Sequence, residues 1–182
     1  MPDFRSATHR NLNALISASE ADFAQTVKAA IAPDSVWDIA WPIHRLTGRD
    51  ALVEGFLQPL RAALPEVRRR DLIFIGGRNI RAEGGDWCVA VTHYVGNMRT
   101  PFCGVEPRDH ALVFLRSGEF YRVEQGAIVE AKIIFDLPDL MRQLGRPPFP
   151  SDLGTEKTWP APATHDGVLP GNRAAGAASI AV

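Results

Sequence analysis

The chain of 182 residues has little cysteine and no excess of basic residues. Cys88 and Cys103 form neither a CxxC pair nor a metal-binding spacing, so they read as two small buried thiols, with a disulfide as the alternative. The 20 basic and 21 acidic residues give a formal net charge of -1. Nucleic-acid binders draw most of their affinity from basic side chains on phosphates, so this balance argues against a nucleic-acid partner.

Signals for membranes, metals and common cofactors are also missing. The N-terminus has no apolar signal core, and no apolar run is long enough to cross a bilayer. The chain contains no GxxxxGK(S/T), GxGxxG, GxSxG or HExxH motif. The sequence therefore predicts a cytoplasmic protein with no membrane contact, no metal and no cofactor.

What is present is enough apolar material for one ordinary domain. Hydrophobic residues make up 46% of the chain and charged residues 23%. Residues 1–145 are predicted to form that domain. The segment 146–182 holds six of the 14 prolines and is predicted to be an extended arm or a linker to a second domain. Phe149 and Trp159 are the side chains that would pin such an arm to the domain or to a partner subunit.

Helical patterns come first along the chain and strand patterns follow. Apolar spacing predicts helices over 6–17 and 19–31, the second capped by Ser19, and a third helix from Gly48 to Pro65 that Pro59 should kink. Strands are predicted over the ranges 36–41, 71–75, 87–95, 110–123 and 127–135, before a last short helix that ends at Gly145. This order predicts an α+β fold in which helices pack on one face of a curved antiparallel sheet. The basic run Arg68–Arg70 is predicted to be a solvated strand end, with phosphate binding as the alternative.

Asp136 is the first candidate for chemistry. It ends the last predicted strand, where a carboxylate facing an apolar cavity would have a raised pKa and serve as a general acid or base. It is also well placed to cap the helix that follows, and the residue pattern alone favours the cap. His93 and His110 are the candidate proton carriers beside it, because imidazole titrates near neutral pH.

Aromatic side chains are spread over the strands and one long loop. Most of them must belong to the core, but a few lining a cavity would suit a flat or ring-bearing ligand. The candidate ligand contacts are Trp41, His44, Tyr94, Phe102, Phe114 and Tyr121.

Three segments in order resemble a known family. The first runs from Trp41-Pro42 through Gly48-Arg49-Asp50 to Pro65, the second is Phe102–Pro107, and the third runs from Arg116 to Gly145 and includes Asp136. Together they resemble the SnoaL-like polyketide cyclases over residues 6–145. The resemblance implies the cone-shaped α+β barrel of nuclear transport factor 2-like proteins, with a deep cavity between sheet and helices and oligomers formed through the sheet.

The resemblance also implies a role for Asp136, which matches the acid/base aspartate of an intramolecular aldol closure without metal or cofactor. Two classes of function follow. The first is a cofactor-free cyclase, isomerase or lyase that acts on an apolar carbonyl compound, assembled as a homodimer or homotetramer. The alternative is a non-catalytic ligand-binding or dimerisation domain.

Overall fold

The fold is that of a computed structural model, which describes residues 4–81, 84–109 and 111–150. In these ranges four helices accompany a curved, unclosed sheet of six strands. The helices are α1 (Phe4–Ser17), α2 (Glu20–Ala30), a composite third helix of α3 (Arg49–Leu52), a π-helical segment (Val53–Leu57) and α4 (Gln58–Ala63), and α5 (Leu137–Gln143).

Local sequence explains two features of these helices. The predicted cap of α2 is confirmed, because the Ser19 hydroxyl oxygen accepts the Asp22 backbone N–H at 3.2 Å. The kink predicted at Pro59 takes the form of the π-helical segment, which ends at Leu57, just before the α4 turn that contains Pro59. Proline has no N–H to donate and its ring crowds the preceding carbonyl, so a wider turn at this point accommodates it.

The strands run in the order β2-β1-β6-β5-β4-β3 across the sheet. Their bounds are β1 (Ile31–Ile39), β2 (His44–Thr47), β3 (Arg68–Arg78), β4 (Asp86–Asn97), β5 (Leu112–Glu124) and β6 (Ala127–Phe135). The predicted α+β class is confirmed, but β1 pairs with β6 in parallel, so the sheet is mixed where an antiparallel one was expected. The short β2 was missed because Leu46 is its one apolar residue.

Side chains alternate between the two faces of the sheet, and only the concave face is covered by helices. Strand β4 shows the pattern: Ala90, Thr92 and Tyr94 are buried on the concave side, while Val91 and His93 are partly exposed on the convex side. The main core lies between the concave face and α1, α2 and the composite third helix. Any polar side chain on that face is therefore held in a largely apolar interior.

The prediction of a solvated basic run is wrong for its middle residue. Strand β3 begins at Arg68, earlier than expected, so alternation turns Arg69 inward while Arg68 and Arg70 stay exposed. The Arg69 side chain is 1% exposed and sits in a buried ion pair. Neighbouring strand residues point to opposite faces, so the three arginines of this run cannot share one environment.

Both cysteines are free, Cys88 buried and Cys103 half-buried, so the disulfide alternative is excluded. Burial raises the pKa of Cys103 to about 11. Among the described residues no helix is long and apolar enough to cross a membrane. In the same ranges no group of His, Cys, Asp and Glu side chains is arranged to hold a metal ion.

Candidate functional site

The concave face carries an unusual concentration of polar and charged side chains in the core. Strand β3 supplies two of them, β4 one and β5 two, and α1 adds a histidine from above. This polar cluster consists of His9, Arg69, Asp71, Tyr94, Glu119 and Tyr121.

Glu119 is the centre of the cluster and is completely buried. Its Oε1 accepts the hydroxyl of Tyr94 at 2.8 Å, and its Oε2 accepts the hydroxyl of Tyr121 at 2.6 Å. Arg69 Nη1 lies 2.6 Å from Oε2. Both carboxyl oxygens are thus occupied, so Glu119 fixes its neighbours in place and has little capacity left for a ligand.

Asp71 is bound from two sides. Its Oδ2 accepts the ring Nε2–H of His9 at 3.0 Å and Arg69 Nε–H at 3.3 Å. The Asp71 side chain is 3% exposed and that of His9 is 31% exposed. His9 is therefore the partner through which Asp71 is closest to solvent.

The surroundings lower the pKa of Asp71 and raise the pKa of the two tyrosines in the cluster. Burial alone would raise the pKa of Asp71, but the hydrogen bond from His9 and the charge of Arg69 outweigh it and hold that pKa below its usual value. Burial and the adjacent Glu119 carboxyl raise the pKa of Tyr94 and of Tyr121 well above that of a free phenol. The phenols therefore stay protonated, and Asp71 is ionised at neutral pH.

Three buried atoms of this region have no hydrogen-bond partner among the described residues. They are Arg69 Nη2, Asp71 Oδ1 and Thr92 Oγ1. The first two lie 2.8 Å apart as an ion pair, although their alignment is not that of a hydrogen bond. Since buried polar groups are normally paired, these three atoms are exceptions that retain hydrogen-bonding capacity in the interior.

Of the residues predicted to contact a ligand, three lie in the interior and three do not. Tyr94 and Tyr121 belong to the polar cluster, and Phe102 packs on Phe135 with ring centroids 5.9 Å apart. By contrast, Trp41 is 71% exposed in the turn after β1, and His44 is exposed at the start of β2. Phe114 is on the convex face.

Asp136 and His93, two of the three residues predicted to carry chemistry, lie elsewhere. Asp136 Oδ1 accepts the Asp139 backbone N–H at 3.0 Å, which confirms the capping interpretation, and its Oδ2 is 3.6 Å from Arg116 Nε. It lines an open depression of about 430 Å³ on the convex side with Val91, Arg116 and Ile134.

His93 is also on the convex face, with its ring centroid 6.2 Å from that of Phe114. Burial and the positive charges of Arg116 and Arg70 lower its pKa. His110 lies outside the described residues. The structure therefore does not bring His93 or Asp136 to the polar cluster.

Four members of the cluster were missed from the sequence: His9, Arg69, Asp71 and Glu119. A signal was available, because Arg69 and Asp71 are two residues apart in one strand and so share a face. Glu119 likewise shares a face with Tyr121. The sequence does not show that the shared face of each strand is the buried one. It also does not show that helix α1 brings His9 over that face.

Comparison with solved structures places this α+β fold among the nuclear transport factor 2-like proteins. The chain is similar to IdmH from Streptomyces antibioticus, a candidate polyketide cyclase, with 21% identity and a TM-score of 0.62 over 78% of this chain and 98% of that one. It is also similar to AclR from Streptomyces galilaeus, a candidate hydroxylase, with 18% identity and a TM-score of 0.60 over 79% and 97% of the two chains.

The SnoaL-like polyketide cyclase family model matches residues 9–144, so the chain belongs to that family. No curated protein matches the chain. The resemblance drawn from the sequence is therefore confirmed at the level of family and fold.

Proposed function

We propose that this chain is a cofactor-independent acid–base enzyme acting on an apolar carbonyl compound, and that its reacting groups belong to the polar cluster. The observation that carries this proposal is the burial of Arg69, Asp71 and Glu119 in the core, with unused hydrogen-bonding capacity on two of them. Buried ion pairs contribute little to stability once desolvation is counted, so stability is a weak reason for three such groups to be there. Strongly perturbed groups of this kind are typical of catalytic sites.

The arrangement supports removal of a proton from the carbon next to a carbonyl group. Asp71 is ionised, and its Oδ1, which is ion-paired with Arg69 Nη2 but accepts no hydrogen bond among the described residues, would take the proton. The C–H electron pair would move to the carbonyl oxygen to form an enolate, beside the positive charge of Arg69. Where the enolate is conjugated with a second double bond, return of the proton from Asp71 to the far carbon gives an isomer. Attack of the enolate carbon on a second carbonyl closes a ring, and the alkoxide that forms takes the proton back from Asp71.

Proton removal can be measured without knowledge of the natural substrate. β-Tetralone, an apolar cyclic ketone, is incubated with the protein in deuterium oxide, and loss of its α-proton signals is followed by NMR. We expect Asp71→Asn to slow protein-dependent exchange by about 100-fold or more, which is typical for loss of a general base. Asp38→Asn, in an aspartate of the convex face paired with Arg45, is the matched control and should not change the rate.

The outcomes separate three possibilities. No exchange with the wild-type protein, together with tight binding of the ketone, would favour the non-catalytic ligand-binding alternative. Exchange that survives Asp71→Asn but is lost in Asp136→Asn would move the chemistry to the residue that the family resemblance indicates. A melting curve of each variant shows whether a lost rate reflects a lost fold.

We also propose that the convex face binds a second copy of the chain. The apolar side chains Ile75, Phe114, Phe120 and Ile134 are exposed on it by 50%, 37%, 48% and 64%. Residues of both charge signs lie around them, such as Arg122 and Glu130, so a second copy related by a two-fold axis could offer each charge one of the opposite sign. Exposed apolar patches rimmed by polar residues are typical of protein interfaces.

A further inference from the structure

Thr92 extends the polar cluster along the concave face of β4. It is completely buried, and its Oγ1 has no hydrogen-bond partner among the described residues. In the pairing of β3 and β4 its Cα lies opposite that of Asp71. Side chains at directly opposed positions stand on the same face with Cβ atoms about 5 Å apart, so the Thr92 side chain stands beside that of Asp71.

The three unpartnered atoms differ in what they can bond. Arg69 Nη2 can only donate a hydrogen bond, an ionised Asp71 Oδ1 can only accept one, and Thr92 Oγ1 can do both. A carbonyl oxygen only accepts, so it would leave Asp71 Oδ1 unpaired. A carboxylate also only accepts, and it would be repelled by Asp71 and Glu119. An O–H group both donates and accepts, and so can satisfy Asp71 and Arg69 at once.

We propose that Arg69 Nη2, Asp71 Oδ1 and Thr92 Oγ1 form a hydroxyl subsite, which binds the O–H group of an apolar alcohol, phenol or enol in preference to a carbonyl or a carboxylate. Thr92 is its specificity-determining residue. The proposal rests on the proposed function in one respect: the enol forms when Asp71 takes the α-proton of a ketone and returns it to the oxygen of the resulting enolate. A subsite that holds the enol better than the ketone lowers the barrier between them.

Matched naphthalene derivatives test this selectivity. The probes are β-naphthol, β-methoxynaphthalene and β-naphthoate, whose binding is followed by fluorescence titration. We expect β-naphthol to bind the wild-type protein about tenfold more tightly than either other probe, because a site with unmatched polar groups rejects ligands that leave them unpaired. Thr92→Val, which keeps the side-chain shape, should reduce that preference to about twofold or less.

Thr26→Val is the matched control. Thr26 is a half-buried threonine on α2 whose hydroxyl donates to the Asp22 carbonyl oxygen at 2.9 Å, away from the cluster. The change removes the same atom and should leave the preference for β-naphthol intact. A preference that survives Thr92→Val would overturn the subsite.

The O–H group can belong to the ligand or to a water molecule, and melting temperatures separate the two. If the three probes bind equally but Thr92→Val lowers the melting temperature by a few degrees, the hydroxyl is paired with water in the free protein, the subsite selects no ligand, and the proposal is wrong. If they bind equally and Thr92→Val leaves the melting temperature unchanged or raises it, the hydroxyl is unpaired and the proposal is wrong. A protein that selects β-naphthol but does not exchange β-tetralone protons would refute the proposed function and leave the subsite standing.

Discussion

Each face of the sheet departs in one respect from the usual distribution of side chains. The concave face buries charge: the side chains of Arg69 and Glu119 are 1% and 0% exposed. The convex face leaves large apolar side chains in solvent, with Ile134 64% and Phe120 48% exposed. Charged residues are almost never buried without a partner, and broad apolar surfaces are rare on monomers, so both departures call for a reason.

The two faces of one sheet can serve separate functions. Buried charges are costly to desolvate, and the concave face retains them where a ligand would be surrounded by protein. Exposed apolar area is a liability in water, and the convex face retains it where a second subunit would cover it. If this is right, substitutions on the concave face should change stability and chemistry, and substitutions on the convex face should change assembly.

The largest effect is expected from Arg69→Met. Methionine fills a similar length but leaves the buried carboxylates Asp71 and Glu119 without their counter-charge. Loss of one partner of a buried ion pair typically costs about 3–5 kcal/mol, and we expect a decrease of that size in the free energy of unfolding measured with urea. Arg70→Met, one residue along the same strand but exposed, should change it by about 0.5 kcal/mol or less. Equal effects of the two substitutions would mean that the concave face does not depend on buried charge.

Next in size is Ile134→Lys on the convex face. A lysine at the centre of the proposed interface would have to be desolvated on association, so we expect the dissociation constant of the oligomer to rise by about 30-fold, or about 2 kcal/mol. Analytical ultracentrifugation over a range of concentrations gives this constant. Ile80→Lys is the control, because Ile80 is 98% exposed in the β3–β4 connection and should not affect association. A wild-type chain that is monomeric at all concentrations would contradict the proposed interface and leave the exposed apolar side chains of the convex face without an explanation.

The sequence predicted the fold more completely than the site, and the residues show why. Apolar periodicity marked the helices and long strands, because it reflects burial of many side chains at once. The cluster depends on single side chains whose surroundings come from distant segments: His9 reaches Asp71 across 62 positions of sequence. Asp136 was identifiable as a cap from its neighbours alone, while the place of His93 on the convex face depended on which side of β4 the helices cover.

A smaller effect is expected from acid on Asp71. Its pKa is lowered by folding, so the carboxylate stabilises the folded state at pH values above its unfolded pKa of about 3.9, and this contribution is lost as the pH falls through the lower folded pKa. Asp71→Asn cannot titrate. Urea unfolding at neutral pH and at about pH 3 should therefore show a smaller acid-induced loss in the variant than in the wild-type protein.

Other carboxylates with lowered pKa values, such as Asp139, remain in both proteins, as do His9 and Arg69, which face Asp71. The difference between the two acid-induced losses therefore reports Asp71 together with its interactions with His9 and Arg69. Identical losses would contradict an ionised Asp71 in the folded protein, and with it the base of the proposed reaction.

The smallest effect concerns Asp136, which stands where the two faces meet at the end of β6. As a helix cap, its replacement by alanine should lower the free energy of unfolding by about 1 kcal/mol, whereas asparagine, which caps as well as aspartate, should leave it nearly unchanged. Neither change should alter deuterium exchange of β-tetralone. Asparagine is the decisive variant, because it keeps the cap and removes the charge. Unchanged stability with lost exchange would show that Asp136 acts in chemistry as well as in capping, and that the convex edge, rather than the buried cluster, holds the reacting group.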